Sequence, residues 1–432
     1  MKMANMDDYF DVVIVGTGAA GLYCALNLPA RYRILLLTKQ KADESDSFLA
    51  QGGICMQHGE ADYRPFFDDT MRAGHYENNP ATVDLMIRSS NSIIRDLVRR
   101  GVRFARDDHG ALRFTREGAH SRPRILFHED ITGHEITQTL LNEVLRCENI
   151  ELREHTTLLD FFADASACGG VIAAGPDGEP RAIGAGAVVL ACGGIGGLYK
   201  NSTNFPHITG DAIAMVLRHG VACEHLDYIQ IHPTTLYSHR KGRRFLISES
   251  VRGEGALLLD KNGNRFTNEL QSRDVVSAAI RAQMEKDGTD HVWEDMRPIG
   301  EAAIREHFPN ILERCEEEGY DPIHEPIPVV PAQHYFMGGI TADLSSRTAL
   351  PRLYACGETC CNGVHGRNRL ASNSLLESLV FAQRAADDIL YGESPVFTGD
   401  KPDLAPYREQ EPLFAAYRQE VLTAIERSKN HE

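Results

Sequence analysis

Asp11-Val12-Val13-Ile14-Val15-Gly16-Thr17-Gly18-Ala19-Ala20-Gly21 is the stretch on which the fold turns. A short apolar run ends in a G-x-G-x-x-G turn, and Leu22 to Leu28 continue at helical spacing. A second apolar run follows at Ile34 to Leu37. The order predicts strand, turn, helix and strand, with the helix N-terminus aimed at the turn. Gly16 permits the tight turn, Gly18 lets a pyrophosphate approach the backbone, and Gly21 allows close helix–strand packing. Where the generic fingerprint wants an acidic residue for a ribose hydroxyl, this chain has Thr38-Lys39. A lysine there argues against an ordinary NAD site and suits a phosphate or adenine-side contact.

Further strand-to-glycine elements lie far away in sequence. Val171 to Ala174 and the run from Ala182 flank the turn signal Pro176-Asp177-Gly178-Glu179. Ala187 to Leu190 precede Gly193-Gly194, and Leu353-Tyr354-Ala355 precede Gly357-Glu358. Together they predict an α/β fold: a Rossmann-like nucleotide domain built from both ends of the chain, with an inserted α+β capping domain. The expected segments are 1–225 and 336–393 for the nucleotide domain and 226–335 for the cap. A short helical tail over 394–432 follows, with Leu413, Phe414, Tyr417, Val421, Leu422 and Ile425 on one stripe.

At 432 residues the chain exceeds what one core supports. Its net charge of −16 disfavours nucleic acid and anionic membranes as partners. No apolar run approaches the ~18 residues of a membrane span. The ten cysteines are scattered without a C-x-x-C pair and read as reduced cytoplasmic thiols. Cys356, Cys360 and Cys361 crowd together, but their spacing is no recognised metal-ligand pattern; they read as packing residues, and no metal is expected.

Against this acidic background, His365-Gly366-Arg367-Asn368-Arg369 is a concentrated cationic loop. It runs into a helix whose start, Ser372-Asn373-Ser374, has the residue types of an N-cap. Guanidinium groups and free backbone N–H donors thus meet in one place, as an anionic substrate or a flavin ring edge requires.

With that loop, the motifs GTGAAG at 16–21, SFLAQGG at 47–53, TREGAHS at 115–121, IHPTTL at 231–236 and SRD at 272–274 form an ordered series. PAQHYFMGGI at 331–340, YACGE at 354–358 and RNRLASNSLLE at 367–377 complete it. The series resembles the flavoprotein subunits of succinate dehydrogenase and fumarate reductase over residues 10 to 390, and within them the L-aspartate oxidase branch.

The resemblance implies FAD. Gly16, Thr17, Gly18, Ala19, Ala20, Gly21 and Lys39 would hold its ADP portion. Asp46, Ser47, Ala50, Gln51, Gly52 and Gly53 would run along the ribityl chain and ring, with Asp211, Glu358, Ser374 and Leu375 completing the site. Covalent members carry a histidine just ahead of the A-Q/E-G-G segment; Asp46 and Ser47 stand there instead, so the FAD is expected to be non-covalent.

For a dicarboxylate, the family pattern assigns His232, His334 and Arg369, with Ser248 as a further hydroxyl donor and Arg273 as the proton-transferring residue. Arginine's ordinary pKa lies above 12, so holding one neutral near pH 7 costs roughly 7 kcal/mol; proton transfer must be coupled or relayed. Glu117 is the discriminating residue: succinate and fumarate carry no ammonium group, whereas aspartate does, and a carboxylate would pair with it. Arg367 reads as pointing to solvent.

The implied activity is oxidation of L-aspartate to iminoaspartate, with oxygen or fumarate as acceptor, in the first step of NAD (quinolinate) biosynthesis. Quinolinate synthase is the implied consumer of the product. A soluble fumarate reductase or succinate dehydrogenase-type flavoprotein, and a non-catalytic homologue that binds FAD and dicarboxylate, are the competing readings. The branch usually carries a longer C-terminal helical region than the residues that follow Leu390 here.

Overall fold

The computed structural model describes residues 8–240 and 242–429. Among them, eleven strands form the two largest sheets: β1 (Tyr9–Val15), β2 (Ile34–Leu37), β3 (Ile150–Arg153), β4 (Thr157–Ala163), β5 (Cys168–Ala174), β6 (Pro180–Leu190), β7 (Ile229–Leu236), β8 (Leu257–Leu259), β9 (Val292–Asp295), β10 (Ile327–Phe336) and β11 (Leu353–Ala355). The helices that matter to the site are α1 (Ala19–Asn27), α2 (Asp211–Arg218), α3 (Glu249–Gly253), α4 (Arg273–Asp287), α5 (Asn373–Tyr391) and α6 (Gln410–Lys429).

The larger sheet runs β3-β2-β1-β6-β5-β4, with β11 also paired to β6. Strands β1, β2, β3, β6 and β11 are parallel to their neighbours within this group, while β4, β5 and β6 form an antiparallel meander. The first half of β6 pairs with β5 and its second half, Val188 to Leu190, pairs with β11. A strand from residue 353 is therefore seated in the sheet begun at residue 9, as the sequence predicted.

Strand periodicity explains the core. Val12, Ile14, Ile34, Leu36 and Val189 face one buried cluster with α1 and α5, whereas Phe10, Val13, Leu35, Leu37 and Val188 face another with α2 and α6. Both faces are covered, so the strands read as continuous apolar runs. The smaller sheet, β7-β10-β9-β8, is antiparallel and has its own core of Leu258, Val292, Ile327 and Val329 against α4.

The tail forms α6, which packs on α2 through Tyr417, Val421 and Ile425, and Tyr417 donates to the Leu159 carbonyl at 2.7 Å. Leu422, expected on that stripe, is exposed instead. At the helical step it lies about 140° around from Tyr417, facing away from the sheet. No described helix is long and apolar enough to cross a membrane.

Candidate active site

A cleft opens at the carboxyl ends of β1 and β6, where open α/β sheets bind their ligands. It encloses about 1680 Å³, its solvent-open mouth included. Fifteen of the seventeen residues expected at a cofactor line it: Gly16, Thr17, Gly18, Ala20, Lys39, Asp46, Ser47, Ala50, Gln51, Gly52, Gly53, Asp211, Glu358, Ser374 and Leu375. Ala19 and Gly21 do not reach it. Ala19 is buried with its N–H on Ser47 Oγ at 3.0 Å, and a Cβ on Gly21 would stand 2.0 Å from the Gly16 carbonyl oxygen. Gly21 thus serves packing, and Gly16, at φ +114°, serves the turn.

The polar groups here suit an extended dinucleotide. Helices α1 and α5 both start at the cleft with no acidic residue in the first turn and no side-chain cap. Their N-terminal dipoles favour negative charge. Ser45 Oγ, Asp46 Oδ2 and Gln51 Oε1 are buried without a partner among the described residues. Burial pushes the Asp46 carboxyl up to about 7, and burial together with Asp46 pushes Glu358 well above the carboxylate range. Lys39 Nζ is not free: it lies 2.5 Å from Asp211 Oδ2, neutralising both groups at the mouth.

The other end of the cleft gathers His232, His334, Arg273 and Arg369 with Glu117 and Glu249. His232 sits in mid-strand on β7, where register shifts on both sides of Ile231–His232 mark bulges that accommodate Pro233. Its Nδ1 is 3.2 Å from the Thr234 N–H and 3.0 Å from the Thr234 carbonyl, while Nε2 is buried without a partner. His334, on β10, has Nδ1 2.8 Å from Thr203 Oγ1, and the two imidazoles meet edge to face at 5.1 Å. Burial, then Arg273, holds both well below the usual histidine range.

Arg369 is 4% exposed, its guanidinium 4.3 Å over the Tyr335 ring and its Nη1 3.1 Å from Ser374 Oγ. Burial and Arg273 lower it to about 10. Its loop is pinned from outside the site: Asn368 Nδ2 donates to the Ala73 carbonyl, and Asn78 Nδ2 donates to the Val364 carbonyl.

Arg273 opens α4 but does not pair with its neighbour Asp274, which contacts His75 instead. Its Nε lies 2.5 Å from Glu249 Oε2 and its Nη1 donates to Gln230 Oε1 at 2.7 Å. Gln230 Nε2 in turn donates to the Arg369 carbonyl at 2.8 Å, tying the two arginines together. Glu117 is 3% exposed and lines the same end; burial, then Glu249, raises its pKa. Ser248 also lines the cleft, but its hydroxyl caps α3 by accepting from the Ser250 N–H at 3.2 Å.

Several groups escaped the sequence reading. Glu249 follows Ser248 directly, yet nothing in a local pattern shows that it will meet an arginine 24 residues on. Gln230 and Arg243 also line or support the cleft without a motif to mark them. Ser372 was expected to cap α5 and instead donates its hydroxyl to Glu117. Arg367 is half exposed, beside Glu77 and the Tyr228 ring. Cys356, Cys360 and Cys361 are buried thiols with raised pKa values. Among the described residues no group of three or more His, Cys, Asp or Glu could hold a metal ion.

Residues 11–375 match the family model described as FAD binding domain. An L-aspartate oxidase of Clostridium perfringens is 47% identical over 380 residues, which are 88% of this chain and 86% of that one. A second, from Clostridium acetobutylicum, is 46% identical over 392 residues, 90% of each chain. The chain belongs to the L-aspartate oxidases. Its cofactor is therefore FAD, for which the helix N-termini without acidic residues and the unpartnered oxygens of the cleft are suited. Among solved structures, a quinol fumarate reductase chain of E. coli superposes with a TM-score of 0.83 at 30% identity, covering 95% of this chain and 74% of that one. The α/β architecture is thus that of the wider flavoprotein group. The aligned residues make up 86% and 90% of the two clostridial relatives and 76% of an L-aspartate oxidase of Nostoc.

Proposed function

We propose that this chain oxidises L-aspartate to iminoaspartate, using non-covalent FAD and passing the electrons to fumarate or oxygen. The observation that carries the reading is one cleft end holding His232, His334, Arg369 and Arg273 for two carboxylates, with Glu117 for an ammonium group. Residues 1–225 and 336–393 serve as the FAD-binding unit and 226–335 as its cap. The ADP portion would rest on Thr17, Gly18 and the start of α1, with Lys39 and Asp211 beside it. Asp46 to Gly53, Glu358, Ser374 and Leu375 would hold the ribityl chain and ring. Bound FAD supplies the hydride acceptor.

The protein's part is orientation and proton management. The two histidines, held neutral, work as hydrogen-bond donors. A substrate carboxylate facing His232 Nε2 selects the tautomer protonated there, leaving Nδ1 to accept from Thr234. Arg369 offers a planar fork already fixed by Tyr335 and Ser374, so a bidentate carboxylate pair forms with little further ordering. Arg273 takes the substrate proton while its Nε proton passes to Glu249, 2.5 Å away. The guanidinium therefore never needs to stand neutral, which removes the objection raised by arginine's high ordinary pKa. Arg252, 3.7 Å from the same Glu249 oxygen, adds a second positive charge that keeps Glu249 ionised as the acceptor.

Iminoaspartate hydrolyses readily, so an enzyme that consumes it is required nearby; quinolinate synthase in the cytoplasm, in NAD biosynthesis, is the proposed one. The reading is tested by anaerobic turnover with fumarate. Equal moles of L-aspartate consumed and succinate formed support it; no succinate formed on adding aspartate contradicts it.

A further inference from the structure

Both oxygens of Glu117 are already engaged. Ser250 Oγ donates to Oε1 at 2.8 Å, and Ser372 Oγ donates to Oε2 at 2.5 Å. The serines come from distant parts of the chain, one in the first turn of α3 and the other immediately before α5. Gly52 closes the third side: a Cβ there would stand 2.2 Å from Glu117 Oε1. The carboxylate is thus clamped between two hydroxyls and a bare backbone, at the end of the cleft where Arg273 and Arg369 gather.

Ser372 is held at a conformational cost. Its backbone adopts φ +61° and ψ 6°, the left-handed region that a residue with a Cβ avoids and glycine enters freely. It occupies the N-cap position of α5 and makes no side-chain cap bond. Glycine would relieve the strain there, and among the described residues the hydroxyl's one hydrogen-bond acceptor is Glu117. Strain of this kind persists where the side chain has a task.

The electrostatics define that task. Among the charged groups that act most on Glu117 are Glu249 from α3 and Arg273 from the head of α4; Cys55, on the segment after Gly52, is a buried thiol that burial keeps protonated. Burial and Glu249 favour the protonated form, while the two hydroxyl donors and Arg273 favour the carboxylate. A protonated Glu117 could not attract an ammonium group.

We propose that Ser250 and Ser372 are positioning residues for substrate selection, holding the Glu117 carboxylate charged and fixed so that amino dicarboxylates are preferred over plain dicarboxylates. This rests on the assignment of Glu117 to the substrate ammonium group.

The test uses the FAD-loaded enzyme with Ser372→Gly, which keeps the left-handed backbone comfortable, with Ser250→Ala, and with Ser250→Thr as the variant that restores a hydroxyl. Glu117→Gln is run in parallel. Two readouts are taken: the ratio of kcat/KM for L-aspartate oxidation to that for dye-driven fumarate reduction, and the pH profile of the aspartate reaction. Loss of a hydrogen bond to a charged group predicts a fall in the ratio of roughly tenfold or more per hydroxyl, mainly through KM. The acid limb of the aspartate profile should move to higher pH in Ser372→Gly and Ser250→Ala, and Ser250→Thr should return it. If Glu117→Gln lowers the ratio and the serine variants leave ratio and pH limb unchanged, the clamp is refuted while the Glu117 assignment stands. If Glu117→Gln leaves the ratio unchanged, the assignment itself fails, and the clamp with it.

Discussion

Arg273 and Glu249 form a 2.5 Å ion pair at the floor of the cleft, both almost fully buried, and Arg252 stands 3.7 Å from the same Glu249 oxygen. Burial pushes the Glu249 carboxyl up, yet Arg273 and Arg252 outweigh it and hold the group below the usual range. The pair is thus poised as a charged acceptor beside the residue that meets the substrate proton. Glu249→Gln should cut the rate of flavin reduction by L-aspartate 10²- to 10⁴-fold, the range expected for lost acid–base assistance. Stopped-flow absorbance measures it, with succinate binding as the control for an intact site.

Glu117→Gln should cost aspartate oxidation about 10- to 100-fold in kcat/KM, as befits loss of a charge-assisted contact. Fumarate reduction, which presents no ammonium group, should lose far less. Steady-state assays in both directions check this, and equal losses would sink the assignment.

Glu294, in β9, gives a prediction about stability. It is fully buried, neither carboxyl oxygen has a partner among the described residues, and burial raises its pKa from 4.5 to about 8 despite Arg252. An acid whose folded pKa is raised binds more protons folded than unfolded between those values, so its burial costs progressively more stability as pH rises through that window. Glu294→Gln removes the titration. Its melting temperature relative to the parent should therefore rise by more at pH 8.5 than at pH 5, the difference reflecting a few kcal/mol. Thermal unfolding at the two pH values checks the sign; an equal shift at both contradicts it.

The segment at 46–53 has no histidine, and the FAD is expected to be held by hydrogen bonds and packing alone. Acid precipitation should leave the yellow chromophore in the supernatant. Colour remaining in the pellet would show a covalent link.

The sequence made different parts of this molecule legible for different physical reasons. The β1–α1–β2 unit was readable because glycine spacing and apolar runs are local signals, and Gly16 and Gly21 do what their positions demanded. The pairing of β11 with β6 was predictable from repeated strand-to-glycine elements. Leu422 was misplaced because a list of apolar residues does not fix helical phase finely enough. Glu249, Gln230 and Ser372 acquired their roles from contacts made across 24, 43 and 255 residues of chain, which no local pattern encodes. Ser372 shows the limit most clearly: its residue type and place predicted a helix cap, but a buried carboxylate took the hydroxyl instead.

The central claim is the choice of aspartate over unsubstituted dicarboxylates. Anaerobic mixing of the FAD-loaded protein with L-aspartate, and separately with succinate, while following flavin absorbance tests it most directly. Bleaching by L-aspartate and none by succinate is the predicted result. Bleaching by succinate alone, or by neither with flavin bound, would contradict the account.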